Sequence, residues 1–377
     1  MRATLLLPLL LCTTAATASG PSPAAAPAQR FGEAIVEGKA DTALALFDTD
    51  ALTDEAVRGL KVPAEFVATL RDGQRKTASS LVGQLIQNVA QGASFRLLRV
   101  AGGKSTTSIY RQHSDSGLAY FEFTWRVGDG PVRIVDVRPL AGATSFAEDA
   151  RRLAIVAAAQ ADPESAKRLS PADQLYVKHL PTYTTLARSM QAGRHQEALA
   201  AWESLPKELQ REKLALIFRI NAARMAGDQG GYVAAMDDLL RFHAKDPAIV
   251  LPSLDLLFAR GEYPRLLKAL NALDQRVGGD PYLEVMRNTV YVKQGNAAAG
   301  RKALQRATQR EPTLREPWAA LLDVAVREGN HAETSRLLDA SAKGANVDWS
   351  DVATAEVFGA FRGSPEGKAW LKRQPKR

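Results

Sequence analysis

Residues 318–338, WAALLDVAVREGNHAETSRLL, contain the pattern that decides the fold of this chain. Leu322 and Ala325 stand seven and four positions before Gly329, and Leu338 stands nine positions after it. Apolar residues at such spacings share one side of an α-helix, and glycine between them adopts a tight turn at little cost. The segment therefore predicts two helices that face one another across a glycine turn.

The same pattern recurs at a fixed interval of 34 residues. Seven residues before each glycine, four of the five positions are apolar, and the position nine residues after each is always large and apolar. The glycines are Gly193, Gly227, Gly261, Gly295 and Gly329, and the apolar residues that follow them are Trp202, Met236, Leu270, Leu304 and Leu338. A fixed period of this length is typical of stacked helical repeats.

Proline-containing joints separate successive units, at Asp246-Pro247, Asp280-Pro281 and Glu311-Pro312. Proline starts a helix well and cannot continue one. Residues 163–348 are therefore predicted to form an all-α solenoid. Residues 349–377 are predicted to form a capping helix and a basic tail, because the end of a solenoid needs a cover.

The array resembles the tetratricopeptide repeat (TPR) family. Trp318, Leu321 and Gly329 are similar to the signature of that family's first helix, and Ala303-Leu304 with Ala307 and Pro312 to that of its second helix. The chain departs from the family pattern at Tyr232, Leu266, Gly300 and Asn288, which predicts irregular packing in the middle of the array.

The resemblance implies that the first helices line a concave surface. Mixed charge with aromatic anchors is typical of sites that bind a protein or a peptide. The residues expected to face this groove are Phe218, Asn221, Arg224, Asp255, Phe258, Tyr282, Thr289, Lys293, Asp323 and Arg327.

Residues 30–162 have a different pattern. Helical periodicity up to residue 92 is followed by four strand-like runs at 95–100, 106–111, 118–127 and 132–137, with turn residues between them. In the third run Phe121, Phe123 and Trp125 alternate with polar residues, which indicates one core face and one solvated face. We expect an α+β roll with a four-stranded antiparallel meander.

The opening of this region, which ends in Leu46-Phe47-Asp48, resembles the SnoaL-like group of the cystatin-type roll. That group includes enzymes as well as binding domains, so the fold does not choose between them. The polar face of the sheet, with Tyr120, Glu122, Arg126 and Asp136, is either a ligand or acid–base face, or a solvated or interface-facing surface.

The first residues predict export. Arg2, an apolar run over residues 5–11 and Ala16-Thr17-Ala18 have the layout of a signal peptide spanning residues 1–18. Residues 19–29 then form a Pro/Ala-rich leader, expected to be flexible. The only cysteine, Cys12, lies in the signal; a lipoprotein signal would need a small residue before it, where this chain has Leu11. We therefore expect a periplasmic or secreted protein without disulfides.

The net charge of +8 is concentrated partly in Lys368, Lys372, Arg373, Lys376 and Arg377 at the C-terminus. This stretch is interpreted as a solvated tail, with contact to an anionic membrane surface as the alternative. The sequence has no basic face interleaved with aromatic residues, so nucleic-acid binding is not expected.

Candidate chemistry is sparse. Lys104 follows Gly103, but a phosphate-binding loop needs glycine where this chain has Leu98. The five histidines show no metal-ligand spacing, so neither a metal, a cofactor nor a catalytic residue is predicted. The sequence favours an exported scaffold that binds a protein or peptide in its groove. The alternative is a small-molecule-binding or enzymatic roll, with the repeats serving for docking or dimerisation.

Overall fold

The structure, a computed structural model, describes residues 22–374 except 103–104, 115–116, 143, 245 and 247–248. The predicted signal peptide, Cys12, Lys104, Pro247, Lys376 and Arg377 lie outside the described residues. Among the residues described, no helix has the length and apolar character needed to span a bilayer.

The described part of the chain begins with four helices, and the first of them corrects one prediction. Helix α1 starts at Ala25, inside the expected flexible leader, because Ala24 and Ala28 pack into the core of the N-terminal region. Gly38, at a φ of +72°, turns the chain out of α1. The helices are α1 (Ala25–Val36), α2 (Ala40–Leu44), α3 (Thr49–Val57) and α4 (Ala64–Ala90).

The predicted four-stranded antiparallel sheet is confirmed. Its strands follow one another in chain order, each hydrogen-bonded to the next, and register shifts interrupt the first and the last ladder. The strands are β1 (Ser94–Ala101), β2 (Thr106–Ser114), β3 (Gly117–Arg126) and β4 (Arg133–Pro139).

One face of the sheet packs on α1 through a cluster of aromatic rings. Phe31 lies within 4.8 Å of Phe123 and 5.5 Å of Tyr110, measured between ring centroids. The Tyr110 hydroxyl donates to the Ala28 carbonyl oxygen at 2.6 Å, which satisfies its polar atom inside the core. This face is therefore the core of the N-terminal region, residues 25–161.

Helix α5 (Phe146–Ala161) closes that region and begins with a capping box between Ser145 and Glu148. Two shorter helices, α6 (Pro163–Lys167) and α7 (Pro171–Lys178), connect it to the repeats.

The C-terminal half is a TPR-like array of five helix pairs. Each repeat glycine lies between the two helices of a pair with a φ between +65° and +76°, as a residue without a Cβ allows. The pairs are α8 (Leu180–Gln191) with α9 (His195–Glu203), α11 (Lys213–Met225) with α12 (Gln229–Phe242), α13 (Val250–Ala259) with α14 (Tyr263–Val277), α15 (Pro281–Lys293) with α16 (Ala297–Arg310), and α17 (Arg315–Arg327) with α18 (His331–Ala345). A short helix, α10 (Lys207–Gln210), precedes the second pair.

Two departures from the family pattern compensate for one another. Gly300 and Asn288 face each other across the fourth pair, and a Cβ added to Gly300 would lie 2.5 Å from the Asn288 Oδ1. The larger polar side chain thus occupies the space that an alanine would fill at position 300. The residue without a side chain thus faces the polar side chain that departs from the family pattern.

The end of the array is covered. Two 3₁₀ turns, Ser350–Ala353 and Glu356–Phe358, lead into α19 (Gly359–Gly363) and α20 (Pro365–Arg373). The buried Trp370 donates from its indole Nε1 to the Asp339 Oδ1 on α18 at 2.8 Å. This segment therefore packs on the last repeat and shields its apolar side.

Candidate functional site

The ten side chains predicted to face a groove lie on one stripe of α11, α13, α15 and α17. They stand 13, 9, 6, 3 or 2 residues before a repeat glycine, and steps of three or four residues share one side of a helix. The residues seven and four positions before the glycine are buried in four of the five pairs. The stripe therefore lies on the side of the helix opposite to these buried residues.

None of the ten is buried. The charged members and Thr289 are exposed, whereas Phe218, Asn221, Phe258 and Tyr282 are half-buried. Phe258 packs edge-on against Tyr263 at 6.0 Å between ring centroids, so the array fixes its ring in place. The stripe therefore combines fixed aromatic surface with solvated charges.

At Tyr282 the stripe meets the sheet. The ring of Tyr282 lies 4.1 Å from the ring of His113, and the His113 Nδ1 lies 3.1 Å from the Glu316 Oε1. Burial raises the pKa of Tyr282, and the nearby carboxylates of Glu316 and Asp280 raise it further. Tyr282 thus belongs to the contact between the sheet and the array.

The second face of the sheet is covered by the array. The prediction of a solvated face is therefore wrong for Tyr120 and Glu122, which are 1% and 7% exposed. Tyr120 shares a core with Leu273 and Val277 of α14. The Glu122 carboxylate accepts from Arg276 at the end of that helix at 2.5 Å. Tyr120 and Glu122 instead fit the other possibility given for this face, a surface that forms an interface.

Arg111, in the middle of β2, is the centre of this interface and is 1% exposed. Its Nη1 donates to the Asp280 Oδ1 at 2.6 Å and to the Glu311 Oε2 at 3.0 Å, while its Nη2 donates to the Glu311 Oε1 at 2.6 Å. Burial alone lowers the pKa of Arg111, but the hydrogen bond to Glu311 and the charges of both carboxylates shift it upward overall. The guanidinium is therefore a fixed, fully ionised crosslink.

The repeat joints place the two carboxylates. Asp280 precedes Pro281 and caps α15 by accepting from the Tyr282 backbone N–H at 2.9 Å. Glu311 follows α16 at the next joint. The Tyr120 hydroxyl donates to the Asp280 Oδ2 at 2.6 Å, and burial followed by the charge of Asp280 raises the pKa of Tyr120. Two successive joints thus place a carboxylate against the sheet, where Asp280 contacts Arg111 and Tyr120, and Glu311 contacts Arg111.

The other two residues predicted on this face, Arg126 and Asp136, form contacts in different parts of the N-terminal region. Arg126 pairs with Asp48 at the N-cap of α3. The Asp136 Oδ1 accepts from the backbone N–H of Val137 at 2.8 Å and of Ala147 at 2.9 Å, which ties β4 to the start of α5. Burial raises the pKa of Asp136. The four predicted residues therefore do not converge on one pocket.

A cleft of about 1340 Å³ opens beside the Arg111 cluster, between the ends of β1, β2 and β3 and the start of α17. His113, Arg315 and Glu316 lie on its walls. Three buried polar atoms of lining residues have no hydrogen-bond partner among the residues that the structure describes, namely the Arg111 Nε, the Gln112 Nε2 and the Glu316 Oε2. The cleft is therefore a charged surface with unused hydrogen-bonding capacity.

Tyr120, Glu122 and Tyr282 were singled out from the sequence, but Arg111, the centre of the interface, was not. A usable signal existed: β2 alternates Ile109, Arg111 and His113 on one face with Ser108, Tyr110 and Gln112 on the other, and all six are buried. An arginine inside such a strand needs a buried acid. Asp280 and Glu311 stand beside the joint prolines, where the sequence pattern indicates only a boundary between two units.

No group of three or more His, Cys, Asp or Glu side chains that could hold a metal ion occurs in the described ranges.

No family model and no curated protein matches this sequence. Among solved structures, the chain is similar to MamA 41-end from Desulfovibrio magneticus RS-1, with 17% identity and a TM-score of 0.37 over 46% of this chain and 98% of that chain. It is also similar to the MamA RS-1 ArsTM double mutant, with 17% identity and a TM-score of 0.37 over 44% of this chain and 93% of that chain. At these values the likeness supports no functional statement, and the helix-pair architecture rests on the geometry described above.

Proposed function

We propose that this protein is an exported scaffold that binds a protein or an extended peptide along the stripe formed by its first helices. One observation carries the proposal: ten side chains from four successive first helices share an unburied stripe. Helical arrays present extended binding surfaces in this way.

The chemistry of the stripe supports a polypeptide ligand. Phe218 and Phe258 offer half-buried rings as anchors, while Arg224, Lys293 and Asp323 offer exposed charges. Interfaces draw most of their affinity from such anchors, and the surrounding charges provide specificity.

The N-terminal region gives the scaffold rigidity. Arg111 crosslinks two neighbouring joints of the array, and Arg99 donates to the backbone carbonyl oxygens of Gln275 and Arg276 at the end of α14. A surface held in shape before binding loses less entropy when a ligand arrives. The sheet therefore serves the array as a brace.

Charge reversal tests the proposal. Arg224→Glu combined with Lys293→Glu should abolish capture of partners by the mature protein from an envelope extract of its native host. Both side chains are exposed, so the thermal midpoint and the helical circular dichroism signal should change little.

The matched control is Lys268→Glu with Lys302→Glu. These substitutions reverse the same charge on the exposed surface of the second helices α14 and α16. Capture should persist in the control. Equal capture by both double variants would overturn the proposal, because the stripe would then contribute nothing.

A second candidate function, binding of a small molecule, has one observation in its favour. The cleft beside Arg111 is large and carries the unpartnered Glu316 Oε2 on its wall. Native mass spectrometry should then show a molecule that co-purifies with the protein and is lost in Glu316→Gln. Identical spectra of the two proteins would remove this candidate.

A further inference from the structure

A second, smaller pocket of about 560 Å³ lies in the array away from the sheet. It is formed by α9, α10, α11 and α12, where the first and second helix pairs meet. Its lining consists of cationic, aromatic and acidic side chains and one amide, namely Trp202, Glu203, Lys207, Gln210, Arg211, Arg219, Asp238, Arg241 and Phe242.

The pocket carries an excess of positive charge. Four cationic side chains line it against two carboxylates. Asp238 is shared by Arg219 at 2.9 Å and by Arg241 at 3.3 Å. Lys207 and Arg211 form no ion pair with a carboxylate in the described part of the chain. Two cations thus remain available to a ligand.

Aromatic rings hold the guanidinium groups in place. The Arg219 guanidinium carbon lies 4.3 Å from the centre of a Trp202 ring. The Arg241 and Arg211 guanidinium carbons lie 4.3 Å and 5.1 Å from the centre of the Phe242 ring. A guanidinium stacked through its face keeps its N–H edges free to donate. The charges of the pocket are therefore arranged before any ligand binds.

Local hydrogen bonds support the same surface. The Gln210 Nε2 donates to the carbonyl oxygens of Trp202, Glu203 and Leu205, which closes the turn before α10. The Gln210 Oε1 accepts from the Lys207 Nζ at 3.0 Å. Lys207 is thereby positioned at the rim of the pocket.

We propose that this pocket binds the carboxylate side chains of an acidic segment in a protein partner. The inference rests on the proposed function, since it assigns a second contact point to the same scaffold. Planar carboxylates match the N–H edges of stacked arginines, and the excess of cations favours a ligand with more than one negative charge. The volume of the pocket accommodates several side chains of such a segment.

A fluorescence titration of the full protein with a hexaglutamate peptide tests the site. Trp202 lines the pocket, so subtracting the signal of Trp202→Phe from that of the wild-type protein isolates the local change. The expected result is saturable binding that weakens as salt is added, because exposed charges are screened. Calorimetry on the same samples provides a readout that is independent of the tryptophan.

Lys207→Ala with Arg211→Ala should weaken hexaglutamate binding by about tenfold, as expected for the loss of two partly exposed charge contacts. Lys268→Ala with Lys302→Ala removes the same charge elsewhere on the array and should leave binding unchanged. Hexalysine should not bind, and inorganic phosphate should bind more weakly than the peptide.

Three results would overturn the inference. The first is the absence of hexaglutamate binding by both fluorescence and calorimetry. The second is hexaglutamate binding of equal affinity by the pocket variant and the control variant, and the third is phosphate binding as tight as that of the peptide. Because the peptide is added to purified protein, a negative outcome here leaves the capture experiment on the first-helix stripe to be judged separately.

Discussion

Arg111 and Glu311 are 200 positions apart in the sequence, yet they form a two-point ion pair inside the protein, with N–O distances of 2.6 and 3.0 Å. Arg111 belongs to the central part of the sheet and Glu311 to a joint of the repeat array. Neither side chain exceeds 4% exposure. The two regions of the chain are therefore joined by charge as well as by apolar packing.

Replacing Arg111 by leucine should lower the free energy of unfolding by about 3–5 kcal/mol, because Asp280 would remain buried without a cation and Glu311 would keep only the exposed Arg96 as a partner. Urea denaturation followed by circular dichroism measures the loss. Arg126→Leu, which removes an exposed ion pair with Asp48, should cost no more than about 1 kcal/mol. Adding Asp280→Asn and Glu311→Gln to Arg111→Leu should restore part of the stability. Equal losses for Arg111→Leu and Arg126→Leu would contradict this reading of the interface.

The alkaline stability of the protein should depend on Tyr120. Burial and the charge of Asp280 raise the pKa of Tyr120 above its ordinary value. Below a pH of about 10 both the folded and the unfolded form keep the proton, and the contribution to stability is complete. Above that pH only the unfolded form ionises, so the free energy of unfolding falls by about 1.4 kcal/mol per pH unit for this group.

Tyr120→Phe should therefore flatten the decline between pH 10 and 11, although it also lowers stability at neutral pH by about 1.5–3 kcal/mol through the lost hydrogen bond to Asp280. Denaturation curves recorded at several pH values provide the comparison. Parallel declines for the two proteins would show that Tyr120 ionises as easily in the folded state as in the unfolded state.

Gly278 should tolerate a side chain less well than Gly295. Both have a positive φ, +88° and +76°, so alanine at either position should cost about 1–2 kcal/mol in backbone strain. At Gly278 the new Cβ would also lie 2.8 Å from the Cβ of Arg99. A Cβ added at Gly295 would have no such neighbouring atom within 4 Å. We expect Gly278→Ala to cost about 1–3 kcal/mol more than Gly295→Ala, because β1 must move away from α14. Thermal unfolding of the two variants measures the difference. Equal midpoints would contradict the prediction, because Arg99 would then make room for the new Cβ without cost.

Export predicts a defined N-terminus. Mass spectrometry of the protein from its native host should find the chain starting at or near Ser19, after the Ala16-Thr17-Ala18 motif. Acylation of Cys12 would instead show a lipid-anchored protein, and an intact Met1 would show that the segment is not a cleaved signal.

The helix pairs were predictable because their cause is local. A glycine at each turn and apolar residues at helical spacing are sufficient to specify two facing helices, and the same information occurs five times between Gly193 and Gly329. The sheet was predictable for a similar reason, since alternation in residues 118–127 and turn residues between the runs depend on near neighbours.

The interface could not be predicted in the same way, because alternation specifies which residues share a face but not what covers that face. Tyr120 and Glu122 fit a solvated sheet as well as a sheet packed on helices. The partners that decide between these outcomes, Asp280 and Arg276, lie more than 150 residues further along the chain. The start of α1 at Ala25 was missed for a related reason, because alanines within a Pro/Ala-rich stretch became helical through contacts with the core.

Because Arg111 and Glu311 are far apart along the chain, Arg111 is synthesised well before Glu311. At about 5–20 residues per second, synthesis of the 200 intervening residues takes roughly 10–40 s. Until Asp280 is made the guanidinium has neither of its carboxylate partners, and the neighbouring Ile109 and Tyr120 have no helix against them until α13 and α14 are made. The strands of the sheet are thus made well before the residues that will cover their second face. During that interval the growing chain presents an apolar surface to whatever protein meets it first.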